Sequence, residues 1–199
     1  MYIFVNINFT TMKILMIGAG GTIGKIVTAA LKGHEVITVG RNTGAIIADI
    51  SSETALESLF KRVSDVDAII CAAGDSITDN LSAMDKAQFM VGIQQKLWPQ
   101  INLVLSGMKY LKDNGSITLI SGKMGEFPAK GSSGKAFVNG AINSFVMAAA
   151  QEMPRGIRLN GISPSKVSDI SGDELTAAYI KCLETAINGE IIRVGYHKQ

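Results

Sequence analysis

The chain has 199 residues, 47% apolar and 18% charged, which suits one domain with a sizeable core and excludes a disordered chain. A formal charge of +2, with no basic run or aromatic-interleaved patch, argues against nucleic acid as a partner. Cys71 and Cys182 are far apart without metal-ligand spacing and fit a reduced, cytoplasmic setting, and no stretch reaches the roughly 18 apolar residues of a membrane span.

The opening residues, Met1 to Thr11, are apolar but lack the positive start and cleavage site of a signal peptide. Met12 reads as the natural start, so residues 1–11 are expected to be an extension and residues 12–199 a single domain. Lys13 to Ile17 is a nearly unbroken apolar run, as a strand buried on both faces requires. It breaks into Gly18, Gly20, Gly21 and Gly24, and a helical pattern follows with Ile26, Val27, Ala30 and Leu31 on one face and a stop at Gly33. Strand, glycine turn and helix aim backbone amides and a helix N-terminus at a phosphate. Gly18 and Gly20 lead to Ile23, so the strict G-x-G-x-x-G fingerprint fails. A P-loop fails as well, because Ala19 replaces its first glycine and Ile26 its magnesium-binding hydroxyl. Dinucleotide binding is the working expectation, with Gly18, Gly20, Gly21, Thr22, Ile23 and Gly24 forming the seat. An ordinary tight turn is the plain alternative.

Glu35 to Val39 reads as a second strand ending at Gly40-Arg41-Asn42. An acidic residue there would grip a ribose 2′-hydroxyl, whereas a basic one favours a 2′-phosphate. Arg41, beside Asn42, therefore points to NADP rather than NAD. Ala45 to Ala48 gives a short third strand leading to Asp49. Ser51 to Ser64 is an amphipathic helix with Leu56, Leu59, Phe60 and Val63 inward and Ser52 as cap. Ala68 to Ala72 is the fourth strand. Asp85 to Leu111 reads as one long helix whose weak point is Pro99. Ser116 to Ser121 is the fifth strand, and Ser132 to Met153 a helix apolar nearly all round, which must bury more than one face. Gly156 to Ile162, a helix over Gly172 to Asn188, and Glu190 to Val194 complete the pattern. Alternating strands and helices predict an α/β fold, a Rossmann-type doubly wound parallel sheet of about seven strands in a single domain.

The glycine turn read as G-x-x-G-x-x-G (Gly18, Gly21, Gly24) resembles the short-chain dehydrogenase/reductase superfamily, and the resemblance spans Met12 to about Val194. Cys71-Ala72-Ala73-Gly74 resembles its Asn-Asn-Ala-Gly motif with both asparagines replaced, where small residues let the backbone pass the cofactor. Asp49 is similar to the aspartate near the adenine ring, and Asn160-Gly161-Ile162-Ser163-Pro164 to Asn-x-Val-x-Pro-Gly. The resemblance implies that Ser121, at the end of the fifth strand, bonds a substrate carbonyl. It also implies a homodimer through the apolar helix, burial within one chain being the alternative.

The family's tyrosine proton donor and the lysine four residues on are missing. Lys135 takes the tyrosine position and Asn139 the lysine position, while Tyr2, Tyr110, Tyr179 and Tyr196 all fall elsewhere. A supporting asparagine is replaced by Lys96. Hydride transfer to a carbonyl leaves an alkoxide that needs a proton or a cation, and Lys135 could supply either, with Lys123 as a second candidate. Asn139 could still bond a ribose hydroxyl. A solvated side chain is the competing reading for all three lysines, weighed more heavily for Lys123 and Lys96 than for Lys135. His34 and His197 have no catalytic partner by sequence, and no metal site is expected. The segment between Pro164 and Asp173 is short, so the substrate cover is reduced. Two readings follow: an NADP-dependent oxidoreductase on a small carbonyl or alcohol, and a catalytically weak NADP-binding sensor.

Overall fold

The computed structural model of the chain describes residues 11–196. The expected extension lies outside that range apart from Thr11, as does His197. Seven strands form one sheet: β1 Lys13–Ile17, β2 Glu35–Gly40, β3 Ile46–Ile47, β4 Val66–Cys71, β5 Leu111–Ile120, β6 Arg158–Pro164 and β7 Ile191–Val194. Their order is β3-β2-β1-β4-β5-β6-β7, and every neighbouring pair is parallel. The helices are α1 Thr22–Ala30, α2 Glu53–Arg62, α3 Lys86–Gly92, α4 Trp98–Gly107, α5 Ser133–Ala149 and α6 Gly172–Glu184.

The strands divide their side chains between two cores, because successive residues point to opposite faces. Leu15 and Ile17 of β1 join Phe60 of α2, Leu103 of α4 and Val138 of α5 in one layer. Ile14 and Met16 join Val27 of α1 and Leu175 and Tyr179 of α6 in the other. These four β1 residues are at most 2% exposed, so the strand can only be apolar from Ile14 to Ile17, with Lys13 half-buried at its start. The chain runs outward from β1 to β3 and then returns to lay β4 on the other side of β1. That reversal opens a crevice at the C-terminal ends of β1 and β4, where ligands of doubly wound sheets bind.

The long helix expected over Asp85 to Leu111 is broken in the structure. Asp85 starts α3 with a capping box, its carboxylate accepting from the Gln88 amide while Gln88 accepts from the Asp85 amide. A π-helical turn, Ile93–Leu97, then joins α3 to α4, marked by the Trp98 N–H donating to the Ile93 carbonyl five residues back. Pro99 lies in the first turn of α4, and the widened turn just before it accommodates the amide that proline lacks. Leu111 belongs to β5, which starts earlier than expected because a register shift against β4 absorbs Lys112 to Gly115. Ser52 does cap α2, its hydroxyl accepting from the Ala55 amide.

The apolar α5 is buried on one face only within the chain. Val138, Ile142 and Val146 are in the core, but Phe137 and Met147 are 46% and 50% exposed. No helix among the described residues is long and apolar enough to cross a membrane.

Candidate active site

The glycine turn fixes the first half of the site. Gly18 has φ +80°, its N–H donates to the Val39 carbonyl at 2.8 Å, and a Cβ on it would come within 2.9 Å of the Ala72 carbonyl carbon. The ends of β1 and β4 are therefore as close as backbones can pack, and only glycine fits. Gly24 is buried in α1, where a Cβ would strike the Gly18 carbonyl oxygen, so its role is to let the helix meet the turn. Gly21 caps α1 in extended conformation without a side-chain acceptor. The amides of Thr22, Ile23 and Gly24 thus lack intrahelical partners and sit at the positive end of the helix, a seat for an anion.

Beside the turn lies a cavity of about 490 Å³ lined by Gly18, Gly20, Gly21, Arg41, Asn42, Asp49, Ala72, Ala73 and Gly74. Nine of the residues that the sequence offers for a cofactor meet here. Arg41 is exposed; among the described residues its guanidinium makes one long 3.4 Å hydrogen bond, from Nη1 to the Gln95 Oε1, and lies near enough to Asp49 to attract its carboxylate, which leaves it accessible to a ligand. The Asp49 carboxylate accepts from the amide and hydroxyl of Ser51 at 2.9 and 2.8 Å. The backbone hydrogen bond from Ser51 chiefly holds its pKa below the usual value.

A second cavity, about 470 Å³, shares Ala72, Gly74 and Asp75 with the first. Its wall carries Ile23, Ser121, Lys135, Asn139 and Pro164. Thr22 and Gly24 line neither cavity. Ser121 is 3% exposed, and its hydroxyl donates to the Ile162 carbonyl at 3.4 Å, a weak bond that a substrate oxygen could replace. Asn139 is packed so closely that a Cβ on Gly122 would come within 2.8 Å of its Nδ2.

Lys96 corrects the expectation of a solvated side chain. It is 8% exposed, sits in the π-turn, and its Nζ donates to the Ser121 carbonyl and to Asn139 Oδ1, each at 2.8 Å. Burial pushes its pKa down to about 8; Lys135 adds to this, while Cys71 and Asp75 oppose it. Cys71 is itself pushed up to about 11 by burial, which keeps it a neutral thiol. An ammonium has three donors, so two protein acceptors leave one for a ligand. Lys135 is half-buried and makes no hydrogen bond or ion pair among the described residues. Lys123 also lines this cavity, with its Nζ 5.5 Å from the Tyr196 ring centroid.

No tyrosine among the described residues lines either cavity. Tyr110 stacks on Phe60, Tyr179 is fully buried in the core, and the Tyr196 hydroxyl is hydrogen-bonded with Ser163 at 2.7 Å. His34 is structural, its Nδ1 accepting from the Met12 amide. Only Ser165 to Ser171 separate β6 from α6, with one 3-10 turn over Val167–Asp169.

The family model described as short chain dehydrogenase matches residues 35–179. The crystal structure of the protein lin1944 from Listeria innocua superposes with a TM-score of 0.88 at 37% identity, covering 92% of this chain and 99% of that one. A small-chain dehydrogenase solved in complex with NADPH gives 0.83 at 23% identity, covering 93% and 97%. A short chain dehydrogenase from Mycobacterium smegmatis gives 0.86 at 17% identity, covering 96% and 94%. No curated protein matches the sequence. With a glycine turn and a strand-end serine on one crevice, and a family match over most of its length, the chain belongs to the short-chain dehydrogenase family of oxidoreductases.

Proposed function

We propose that the chain is an NADP-dependent oxidoreductase that interconverts a small carbonyl compound and its alcohol, with a lysine in place of the tyrosine proton donor. The observation that carries this reading is the junction of two cavities at Ala72 and Gly74. One is floored by the glycine turn and Arg41, the other by Ser121, Lys96 and Lys135. A structural neighbour was solved with NADPH, which accords with the basic Arg41 here.

The residues fit the cofactor because a cavity of about 490 Å³ lies beside the glycine turn and because three helix-end amides there lack intrahelical partners. Thr22, Ile23 and Gly24 would hold the pyrophosphate, Arg41 and Asn42 the 2′-phosphate, and Asp49 the adenine side. Bound there, NADPH would supply the hydride. Ser121 orients the carbonyl oxygen by a hydrogen bond, and Lys135 donates the proton that the alkoxide oxygen requires. Lys96 positions Asn139 and Ser121 and places positive charge where negative charge develops. Gly74 lines both cavities, and Pro164 shapes the wall of the second.

The protein is further proposed to be a homodimer through α4 and α5. Trp98 and Leu105 of α4 are 47% and 45% exposed, and with Phe137 and Met147 of α5 they leave apolar surface uncovered.

A screen of aldehydes and ketones, followed by NADPH consumption, tests the assignment. Turnover that Lys135→Met abolishes, at unchanged NADPH affinity, is expected. NADPH binding with no turnover would favour the sensor, a reading supported by the absent tyrosine. No binding of either cofactor would overturn both.

A further inference from the structure

The lining of the second cavity is basic. Among the described residues five lysines line it, Lys96, Lys123, Lys130, Lys135 and Lys166, against one carboxylate, Asp75. None of the five takes part in an ion pair among the described residues. Asp75 is exposed, and its carboxylate already accepts from the Ser76 amide at 2.7 Å. Lys130 and Lys166 are exposed as well, Lys123 and Lys135 are half-buried, and Lys96 feels the attraction of Asp75. Five like charges gathered around one carboxylate cost free energy that an anion would relieve.

The dinucleotide does not account for all of them. Its phosphates have their own seats at the α1 amides and Arg41, and Lys166 sits after Pro164 on a wall that also holds Ile23. Lys96 is committed to Ser121 and Asn139. That leaves Lys123, Lys130 and Lys135, on segments beyond the end of β5 and at the start of α5. Burial is the main cause of the lowered Lys96 pKa, and repulsion from Lys135 adds to it, which places these two side chains near one another in the pocket.

We infer that the substrate of this pocket is an anion, a small oxo compound carrying a carboxylate or phosphate group that Lys123 and Lys130 hold while its carbonyl lies at Ser121 and Lys135. The inference rests on reading this cavity as the substrate pocket of a reductase. Charge-assisted contacts of this kind also orient the carbonyl, since one end of the molecule is fixed while the other reacts.

Matched pairs test it. Succinic semialdehyde is compared with butanal for the carboxylate, and glyceraldehyde 3-phosphate with glyceraldehyde for the phosphate. In at least one pair the charged member should exceed its neutral partner by about tenfold or more in kcat/KM, an advantage that shrinks with added salt. Lys123→Gln/Lys130→Gln should erase that advantage at unchanged NADPH Kd, and Lys130→Arg should keep it. Equal or better turnover of the neutral members in both pairs would overturn the inference, as would an advantage that survives in the double variant. If no compound turns over, the reductase reading fails separately and binding decides. Oxalate and inorganic phosphate are then titrated by calorimetry into the protein with and without NADPH. Saturable, salt-sensitive binding lost in Lys123→Gln/Lys130→Gln supports an anion pocket, and the absence of saturable binding by both overturns it.

Discussion

The Lys96 ammonium donates to Asn139 Oδ1 at 2.8 Å, joining the π-turn before α4 to the buried face of α5. In the resemblance drawn from the sequence, Asn139 falls at the family's lysine position and Lys96 at that of a supporting asparagine. In the structure the two side chains meet beside Ser121, whose carbonyl accepts from the same ammonium at 2.8 Å.

Burying that amine makes stability depend on pH. Lys96 has its folded-state pKa lowered from 10.5 to about 8, chiefly by burial. Between those values the unfolded chain holds more protons, so this group's contribution rises with pH, complete above 10.5 and lost as pH falls toward 8. The full span is worth up to roughly 3 kcal/mol. Urea denaturation across this window should show wild-type stability climbing relative to Lys96→Met. Parallel curves would show that the amine titrates normally.

The same titration should appear in catalysis. If the Lys96 charge stabilises the developing alkoxide, kcat/KM for carbonyl reduction falls as pH rises through about 8. In Lys96→Met the rate is lower by roughly 10²-fold, on the scale of losing one preorganised donor, and that inflection disappears. An inflection shared by both proteins would assign it to another group.

Gly74 is the backbone side of the same contact. It has φ +134°, and a Cβ would lie 2.5 Å from Lys96 Cγ and 3.2 Å from its Cα. Gly74→Ala therefore strains the backbone and displaces the lysine. A loss of about 1–3 kcal/mol in stability is expected, with reduced turnover. Thermal denaturation and steady-state kinetics measure both, and a fully stable, fully active variant would show that the lysine stem is free to move.

The parallel sheet was legible because β1, β4 and the later strands are apolar runs separated by glycines and amphipathic helices, a pattern that survives without tertiary information. Most of the lining of the first cavity was legible for a similar reason: Gly18, Gly20, Gly21, Arg41 and Asp49 follow strand ends, whose position the topology dictates. Lys96 was not. A lysine in a helical stretch ordinarily reads as solvated, and nothing local announces the π-turn that carries it inside; Pro99 was the only nearby signal of irregularity. The basic lining of the second cavity was legible only in part: the sequence offers Lys135 and Lys123 beside Ser121, but Lys130 and Lys166 join them only when β5, α5 and β6 are assembled.

The exposed face of α4 and α5 sets the expectation for assembly. Light scattering should give the mass of a dimer, and Phe137→Glu with Trp98→Glu should yield a folded monomer, because charges in an apolar contact cannot be buried without partners. A wild-type monomer at micromolar concentration would contradict the proposed dimer.

The central claim is that the crevice holds NADP through the glycine turn and Arg41, and cofactor fluorescence during titration with NADPH and NADH measures this most directly. The account predicts saturable NADPH binding at least about tenfold tighter than NADH, with Arg41→Ala removing most of that difference by weakening NADPH alone, as loss of a charge-assisted contact would. Equal affinity for the two cofactors, or an Arg41→Ala effect that is the same for both, would contradict it.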